Sequence, residues 1–438
     1  MPMDNDRLLA RSHAAVWHPC TQMKQHEQLP LVAISHGKGV WLYDFAGQRY
    51  LDAISSWWVN LFGHANPRIN AALKDQLDKL EHVMLAGFTH APVVELSERL
   101  AQCAPSNLGH CFFGSDGASA IEIALKMSFH FWRNNGQPEK TGFVSVANGY
   151  HGETLGALSV TDVALFKETY APLLRRTYQT PSPDGRLAEP GESAESYALR
   201  CADALAQYLA KHHATTSALI VEPLVQCAGG MAMHHPIYLR RAREICDQFH
   251  VHLIADEIAV GFGRTGTLFA CEQARIAPDF LCLSKGLTGG YLPLSVVMTH
   301  DAIYNAFYHD DVTRGFLHSH SYTGNPLACR AALATLNIFE QDDVIEANRT
   351  KAARFTEIMQ PLRDHPRVRH FRHLGMIWAF DVAHAAPDFS QTFYHAALRH
   401  GLLLRPLGAT LYFMPPYVIE EEEAVFLVQE TVRCLDAA

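Results

Sequence analysis

The fold of this chain is decided by two apolar runs, Val251-His252-Leu253-Ile254-Ala255 and Phe280-Leu281-Cys282-Leu283-Ser284. The first run ends abruptly in Asp256-Glu257, and the second ends in Lys285, which glycines follow up to Gly290. Short apolar runs bounded by charge and glycine are typical of buried parallel strands. In open α/β sheets the functional groups collect at the carboxyl ends of such strands. The stretch therefore predicts an α/β sheet with a functional edge.

The residues at these two strand ends suggest the chemistry of pyridoxal 5'-phosphate (PLP). A lysine can form a Schiff base with the PLP aldehyde, and a carboxylate can keep the pyridine nitrogen protonated so that the ring withdraws electrons. Taken singly, Lys285 or Asp256 is better explained as a surface charge at a strand end. Together, and with the residues described next, they favour a PLP site.

Further candidate residues also follow predicted strands. Strands are expected to end at residues 113, 147, 221, 255, 284 and 299, with helical or long connections between several of them. This pattern predicts a mostly parallel α/β sheet. Gly117, Tyr150 and Glu222 fall at or just after strand ends, as Asp256 and Lys285 do. This agreement between position and chemistry is stronger evidence than any single motif.

A possible anion site lies where the strand 110–113 meets a long helix. The turn between them, Gly114-Ser115-Asp116-Gly117-Ala118-Ser119, consists of small residues. Backbone N–H groups at a helix N-terminus bind phosphate well. The turn has neither the G-x-G-x-x-G nor the G-K-[ST] pattern, so we expect a lone phosphate rather than a nucleotide.

Composition argues against several other classes of function. The 438 residues carry a net charge of −9 without a Lys- or Arg-rich run, which argues against a nucleic-acid partner. The N-terminus lacks the apolar core of a signal peptide, and no uncharged apolar stretch reaches the ~18 residues of a membrane span. The ten cysteines form no C-x-x-C pair and the 26 histidines no H-E-x-x-H motif, so no metal site is expected. These features predict a soluble protein of the reducing cytoplasm.

Two domains are expected in a chain of this length. We predict an N-terminal segment, residues 1–60, that packs with a C-terminal small domain, residues 336–438. Residues 61–335 are expected to form a large PLP-binding domain that carries the parallel sheet. The small domain is expected to be α+β, because its pattern changes to helix, strands, helix, strands and a closing helix.

Four side chains have two open interpretations each. Trp57 and Trp58 are adjacent and point to different sides, so at least one of them lines a substrate pocket or both pack in the core. Arg405 stands among apolar residues, which suits a carboxylate clamp or an ion pair at an interface. Tyr150 stands between glycines at a strand end, where it either stacks on a flat ring or covers the sheet edge.

These residues resemble a known family. The segments Leu253-Ile254-Ala255-Asp256-Glu257-Ile258, Gly261-Phe262-Gly263-Arg264-Thr265-Gly266 and Ser284-Lys285-Gly286 look like the signature of class III PLP-dependent aminotransferases. The likeness covers nearly the whole chain. The branch of this family that acts in biotin synthesis is most similar in Trp17-His18-Pro19, Ser55-Ser56-Trp57-Trp58, Gly149-Tyr150-His151-Gly152, Arg405-Pro406-Leu407-Gly408 and Tyr412-Phe413-Met414-Pro415-Pro416-Tyr417.

The resemblance implies fold type I of the PLP-dependent transferases, with a large domain, a smaller α+β domain, and a cytoplasmic homodimer whose active sites lie at the subunit interface. The residues expected to be catalytic are Lys285, Asp256 and Tyr150, which would bind PLP covalently, pair with its pyridine nitrogen and stack on its ring. The expected cofactor-binding residues are Lys285, Asp256, Tyr150, Gly117, Ala118, Glu222 and, from the partner subunit, His320 and Ser321. The expected substrate-binding residues are Trp57, Trp58, Arg405, Tyr412, Arg264, Ser319 and Cys20, with Arg405 on the carboxylate of the keto substrate.

For that branch the implied reaction is ping-pong transfer of an amino group from S-adenosylmethionine to 7-keto-8-aminopelargonate, giving 7,8-diaminopelargonate. Two positions depart from the enterobacterial pattern, because Cys20 replaces a tyrosine and His320 replaces a proline. Lysine as the donor remains an alternative, as does another class III ω-aminotransferase that acts on a diamine or β-amino acid. Outside enzymes, the alternative is a non-catalytic PLP-fold binding or regulatory protein.

Overall fold

The computed structural model describes residues 4–27, 29 and 31–437 of the chain, which form two compact units. The larger unit comprises Arg68–Thr350 and Leu374–Ile377. The smaller unit comprises Met1–Pro67, Lys351–His373 and Trp378–Ala438.

The strands of the described residues are numbered in chain order. They are β1 (Ile34–Lys38), β2 (Trp41–Asp44), β3 (Arg49–Asp52), β4 (His110–Gly114), β5 (Gly142–Val146), β6 (Tyr178–Thr180), β7 (Thr216–Val221), β8 (Val225–Gln226), β9 (Ala232–Met233), β10 (His252–Asp256), β11 (Phe280–Leu283), β12 (Ser295–Thr299), β13 (Val368–Leu374), β14 (Ile377–Val382), β15 (Leu402–Leu403) and β16 (Thr410–Phe413).

The helices are identified by their residue ranges. They are Asn5–Ala15, Pro67–Leu77, Ala91–Cys103, Gly117–Asn134, Leu155–Val160, Ala164–Lys167, Ala194–His212, Ile237–Phe249, Cys271–Ala274, Asp301–Phe307, Pro326–Gln341, Val344–Ile358, Gln360–Arg363, Phe389–Arg399 and Glu421–Ala437. Ser55–Trp58 forms a single helical turn of unusual geometry, described below.

The larger unit is organised by a seven-stranded sheet with the order β4-β12-β11-β10-β7-β5-β6. Parallel pairing joins β6 to β5, β5 to β7, β7 to β10 and β10 to β11. Only β12 runs the other way, because it pairs antiparallel with both β11 and β4. The predicted mostly parallel sheet is confirmed, and the carboxyl ends of its six parallel strands lie at one edge.

The central strands of this sheet are apolar along their whole length because both faces are covered. All residues of β7, β10, β11 and β12 are buried. The helix Gly117–Asn134 belongs to the same apolar core as these strands. The core includes Ile121, Ala124 and Leu125 of the helix and Ile254, Phe280 and Val297 of the sheet. This packing holds the N-terminus of the helix against the functional edge.

The smaller unit contains two short sheets with helices, as expected for an α+β domain. The first has the order β1-β2-β3-β15, and the second has the order β13-β14-β16. The strands β2 and β3 pair antiparallel and form a hairpin. The strand β15 pairs in parallel with β3, which ties the N-terminal segment to the C-terminal part of the same unit.

Among the described residues there is neither a helix that could span a membrane nor a cluster of metal ligands. None of their helices is long and apolar enough to cross a membrane. No group of three or more His, Cys, Asp or Glu side chains among them is arranged to hold a metal ion.

Candidate active site

Asp256 ends strand β10 and is held there by two hydrogen bonds. Its Oδ1 accepts from the backbone N–H of Ile258 at 3.1 Å, and its Oδ2 lies 2.7 Å from Nδ1 of His151. Both side chains are buried, with exposed fractions of 5% for Asp256 and 0% for His151. An ionised carboxylate only accepts hydrogen bonds, so His151 carries its proton on Nδ1. His151 belongs to the motif Gly149-Tyr150-His151-Gly152, but no role for it is predicted from the sequence.

Lys285 follows the neighbouring strand β11. The strands β10 and β11 pair in parallel, so their carboxyl ends meet at the same edge of the sheet. Burial lowers the pKa of Lys285 below its usual value, against the opposing effects of Cys227, Asp256 and Glu222. A lower pKa increases the fraction of free amine at neutral pH, which is the form that attacks a carbonyl. Lys285 also has a φ of 46°, in the left-handed region that side chains rarely adopt.

Glu222 at the end of β7 braces the loop that carries Tyr150. Its Oε2 accepts from the backbone N–H of Tyr150 at 2.9 Å, and its Oε1 accepts from that of Cys227 at 3.0 Å. Burial raises the pKa of Glu222 to about 7. The Tyr150 hydroxyl donates to Glu153 at 2.8 Å. Glu222 thus fixes the backbone of Tyr150, and its predicted place among the cofactor-binding residues stays a prediction.

The predicted anion site lies at the N-terminus of the helix Gly117–Asn134. Asp116 caps the helix, and its side chain accepts from the N–H of Ser119 at 2.9 Å. The N–H groups of Gly117 and Ala118 are the first of the helix and have no intrahelical acceptor. A Cβ atom at Gly117 would lie 3.0 Å from Cγ2 of Ile258, so the start of the helix packs closely against the loop after β10.

The polar turn before the helix Pro326–Gln341 holds three predicted residues. Within it the His320 N–H donates to Thr323 Oγ1 at 3.3 Å, and the Thr323 hydroxyl donates to the His320 carbonyl at 2.8 Å. Ser319 and Ser321 are exposed. The Nε2 atom of His320 is buried and has no hydrogen-bond partner in the described part of the chain. Their predicted contacts with the partner subunit's cofactor or with substrate stay predictions.

Arg264 lies deep inside the larger unit, with 1% of its surface exposed. Its backbone carbonyl accepts from the N–H of Met376 at 2.8 Å. The loop it belongs to passes very close to Gly375, where a Cβ atom would lie 2.4 Å from the backbone nitrogen of Gly266. The predicted substrate contact of Arg264 stays a prediction.

In the smaller unit the tryptophan pair lies in a left-handed turn. Ser55, Ser56, Trp57 and Trp58 have φ angles of 53°, 46°, 72° and 74°. Left-handed backbone costs an L-residue about 1–2 kcal/mol, so four in succession need support from the surroundings. The turn separates the two indoles, because Trp57 is 40% exposed and Trp58 only 4%. The two rings therefore have different environments.

Trp58 and Tyr412 form a buried contact. The Trp58 Nε1–H donates to the Tyr412 hydroxyl at 3.1 Å, and the ring centroids are 6.1 Å apart in an edge-to-face arrangement. Tyr412 lies on β16 and is 1% exposed. The contact joins the turn to the second sheet of this unit. The predicted roles of both residues in a substrate pocket stay predictions.

Three other predicted residues come together at the surface of the smaller unit. The guanidinium carbon of Arg405 lies 4.7 Å from the ring centroid of Trp57, and Arg405 Nη2 donates to the backbone carbonyl of Cys20 at 3.2 Å. All three residues are exposed. Both contacts restrict the orientation of the Arg405 guanidinium, and its predicted contact with a substrate carboxylate stays a prediction.

The residues of the larger unit fit PLP. Buried Asp256, oriented by His151, is an acceptor for a protonated pyridine nitrogen, and Lys285 is an amine with a lowered pKa on the adjacent strand end. The first N–H groups of the helix, those of Gly117 and Ala118, suit a phosphate.

This chain is similar to known proteins in both sequence and fold. The model of the family described as aminotransferase class-III matches residues 21–435. An adenosylmethionine-8-amino-7-oxononanoate aminotransferase from Helicobacter pylori is 47% identical over 98% of this chain and 98% of that protein. The crystal structure of the enzyme of the same name from Methanocaldococcus jannaschii has a TM-score of 0.93 and 34% identity, covering 99% of each chain.

An ω-transaminase is equally similar in fold. The structure of the enzyme from Pseudomonas jessenii in complex with PMP has a TM-score of 0.93 and 29% identity, covering 98% of each chain. The expected fold type I of PLP-dependent transferases is thus confirmed. This chain belongs to the class III aminotransferases, which are PLP-dependent enzymes.

Proposed function

We propose that this aminotransferase transfers an amino group from S-adenosylmethionine to 7-keto-8-aminopelargonate, giving 7,8-diaminopelargonate for biotin synthesis. The choice of acceptor rests on the exposed pair of Arg405 and Trp57. The fixed guanidinium suits the carboxylate of the keto substrate, and the apolar indole ring suits its hydrocarbon chain. Relatives with 33–47% identity, over nearly their whole length, are named for this reaction.

Asp256 and Lys285 carry the chemistry in this proposal. PLP, when bound, supplies an aldehyde that bonds to amines and a ring that accepts the electron pair left when a proton departs. Asp256, kept in one orientation by His151, accepts the hydrogen bond of the protonated pyridine nitrogen. Lys285 Nζ takes the proton from the substrate carbon, and its lowered pKa makes the neutral amine available for this step.

The remaining residues of the larger unit bind and orient. The N–H groups of Gly117 and Ala118 would hold the phosphate of PLP, and Tyr150 would cover its ring. Glu222 fixes the backbone of Tyr150 by a hydrogen bond. We also propose a cytoplasmic homodimer in which His320 and Ser321 of the partner subunit reach the same phosphate.

The donor is tested by following one half-reaction. The PLP-loaded protein is mixed with S-adenosylmethionine without keto acid, and the visible absorbance of the bound cofactor is recorded. We expect the band to disappear and to return when 7-keto-8-aminopelargonate is added. The matched control is Lys285→Ala, which should bind PLP without either change.

Each other outcome points to an alternative. A loss of absorbance with lysine but not with S-adenosylmethionine would keep the acceptor and replace the donor. Conversion only with a diamine or a β-amino acid would favour the ω-aminotransferase alternative, to which the fold of the Pseudomonas jessenii enzyme lends weight. No conversion with any amine would refute an enzyme and favour a binding or regulatory protein.

A further inference from the structure

The left-handed turn Ser55–Trp58 is anchored at both of its ends in the core of the smaller unit. The Ser55 hydroxyl donates to the carbonyl of Met414 at 2.7 Å, and the Trp58 indole donates to the hydroxyl of Tyr412 at 3.1 Å. The two middle residues, Ser56 and Trp57, receive no support from these anchors. Because both have positive φ, a separate contact must hold them in this conformation.

That contact is the carboxylate of Asp52, at the end of β3. Its Oδ1 accepts from the backbone N–H of Ser56 at 2.8 Å, and its Oδ2 accepts from the Ser56 hydroxyl at 2.7 Å. The carboxylate has no exposed surface. The Asp52 carboxylate therefore binds both the backbone and the side chain of Ser56, the residue immediately before Trp57.

His64 orients this carboxylate. Its Nε2 lies 3.0 Å from Asp52 Oδ2, and its Nδ1 lies 3.1 Å from Nδ2 of Asn60. With the Asn60 amide donating to Nδ1, the proton of His64 is on Nε2 and points at Asp52. The backbone of His64 is fixed in turn by two hydrogen bonds with Gly39, at 3.1 Å and 2.7 Å.

We propose that Asp52, oriented by His64, is the positioning residue that places Trp57 beneath Arg405 and so determines specificity for a carboxylate-bearing acceptor. The inference rests on the proposed function, in which Arg405 binds that carboxylate. Asp52 acts through Ser56 and Trp57 and does not touch the substrate. Loss of the Asp52 carboxylate releases Ser56 and Trp57 while Ser55 and Trp58 stay anchored. The binding of the keto substrate is therefore weakened without unfolding of the turn.

The kinetic test is Asp52→Asn in the PLP-loaded protein. In this variant the NH2 group of the amide replaces one of the two accepting oxygens of Asp52. It then opposes either the Ser56 N–H or the pair formed by the Ser56 hydroxyl and the His64 Nε2–H, so a hydrogen bond to Ser56 or to His64 is lost. We expect KM for 7-keto-8-aminopelargonate to rise roughly ten-fold or more, with kcat within about two-fold of the wild type. The matched control is Asp436→Asn, which removes a 3.1 Å contact with His365 in the same unit and should leave KM unchanged.

Rescue by glycine separates positioning from chemistry. Glycine adopts positive φ without strain, so Ser56→Gly should restore most of the lost affinity in the Asp52→Asn background. Ser56→Ala removes only the hydroxyl contact and should raise KM less, in a protein that folds even if Asp52→Asn does not. Failure of Ser56→Gly to rescue, or equal changes in kcat and KM, would overturn the proposal.

A measurement that needs no substrate tests the positioning role of Asp52 independently of the proposed function. Incorporated 5-fluorotryptophan gives the ring of Trp57 a fluorine resonance, which Trp57→Phe assigns. We expect the resonance to move or broaden in Asp52→Asn and to return in the double variant with Ser56→Gly. A wild-type protein that fails to aminate the keto acid would refute the proposed function, whereas an unchanged Trp57 resonance in Asp52→Asn would refute the positioning role.

Discussion

Removal of the His151 imidazole should be among the most damaging single changes in the larger unit. In His151→Ala the Asp256 carboxylate loses a 2.7 Å hydrogen bond in a site where both side chains are buried. Breaking a buried pair by removing one partner costs about 3–5 kcal/mol, because the remaining charge is left without compensation. We expect a loss of this size in the free energy of unfolding, together with weaker retention of PLP.

The control is His400→Ala, which removes a contact of the same type. His400 Nδ1 lies 2.7 Å from Glu430 Oε2, but the histidine side chain is 35% exposed, and Arg433 also pairs with this glutamate. Because His400 is partly exposed and Glu430 keeps its contact with Arg433, we expect a loss of only about 1 kcal/mol. Urea unfolding of the PLP-loaded proteins measures both losses, and dialysis measures PLP retention.

His151→Asn completes the comparison, since its amide offers a donor near the position of Nδ1. It should recover part of the stability and most of the PLP binding. Equal losses for His151→Ala and His400→Ala would refute the reasoning, because burial would then not govern the strength of the pair. Normal PLP retention in His151→Ala would refute the role of the imidazole in holding Asp256.

Three further predictions concern the same unit. Burial raises the pKa of Glu222 from 4.5 to about 7, so the folded protein binds this proton more tightly than the unfolded chain does. The free energy of unfolding should therefore fall by about 3 kcal/mol between pH 4.5 and 7. Glu222→Gln should flatten this part of the pH profile, and parallel profiles for the two proteins would contradict the prediction. Lys140 Nζ donates to the carbonyls of His213, Thr216 and His250, so Lys140→Met should cost about 2–4 kcal/mol in urea unfolding and leave kcat unchanged. Gly117→Ala should raise the Kd for PLP roughly ten-fold in equilibrium dialysis, because the added Cβ contacts Ile258 beside the predicted phosphate site. An unchanged Kd would show that Gly117 does not contribute to PLP binding.

The sequence predicted the sheet and its functional edge well, because the signals there are local. Runs such as Leu253–Ala255 are apolar on both faces and stop at a charge, so the strand, its burial and its end follow from one pattern. The strand order could not be predicted in this way. The reversal of β12 depends on pairing with β4 and β11, and nothing in its own residues records those partners.

The residues that the sequence analysis missed are those whose role depends on a distant partner. His151 was visible between Tyr150 and Gly152, but its contact is with Asp256, far along the chain. The turn around Trp57 was equally hidden, since serine and tryptophan disfavour positive φ and give no local signal for it. The carboxylate of Asp52 supplies what the local sequence lacks.

The antiparallel strand β12 has a consequence for how the protein is made. The strand β4 leads directly into the helix Gly117–Asn134, yet its neighbour β12 emerges from the ribosome roughly 180 residues later. At about 5–20 residues per second, β4 waits on the order of 10–40 s with an open edge during synthesis. The strand β4 therefore joins the sheet late, after the strands β10 and β11 have been made. Nascent chains stalled before residue 295 should depend on chaperones more than chains released beyond residue 299.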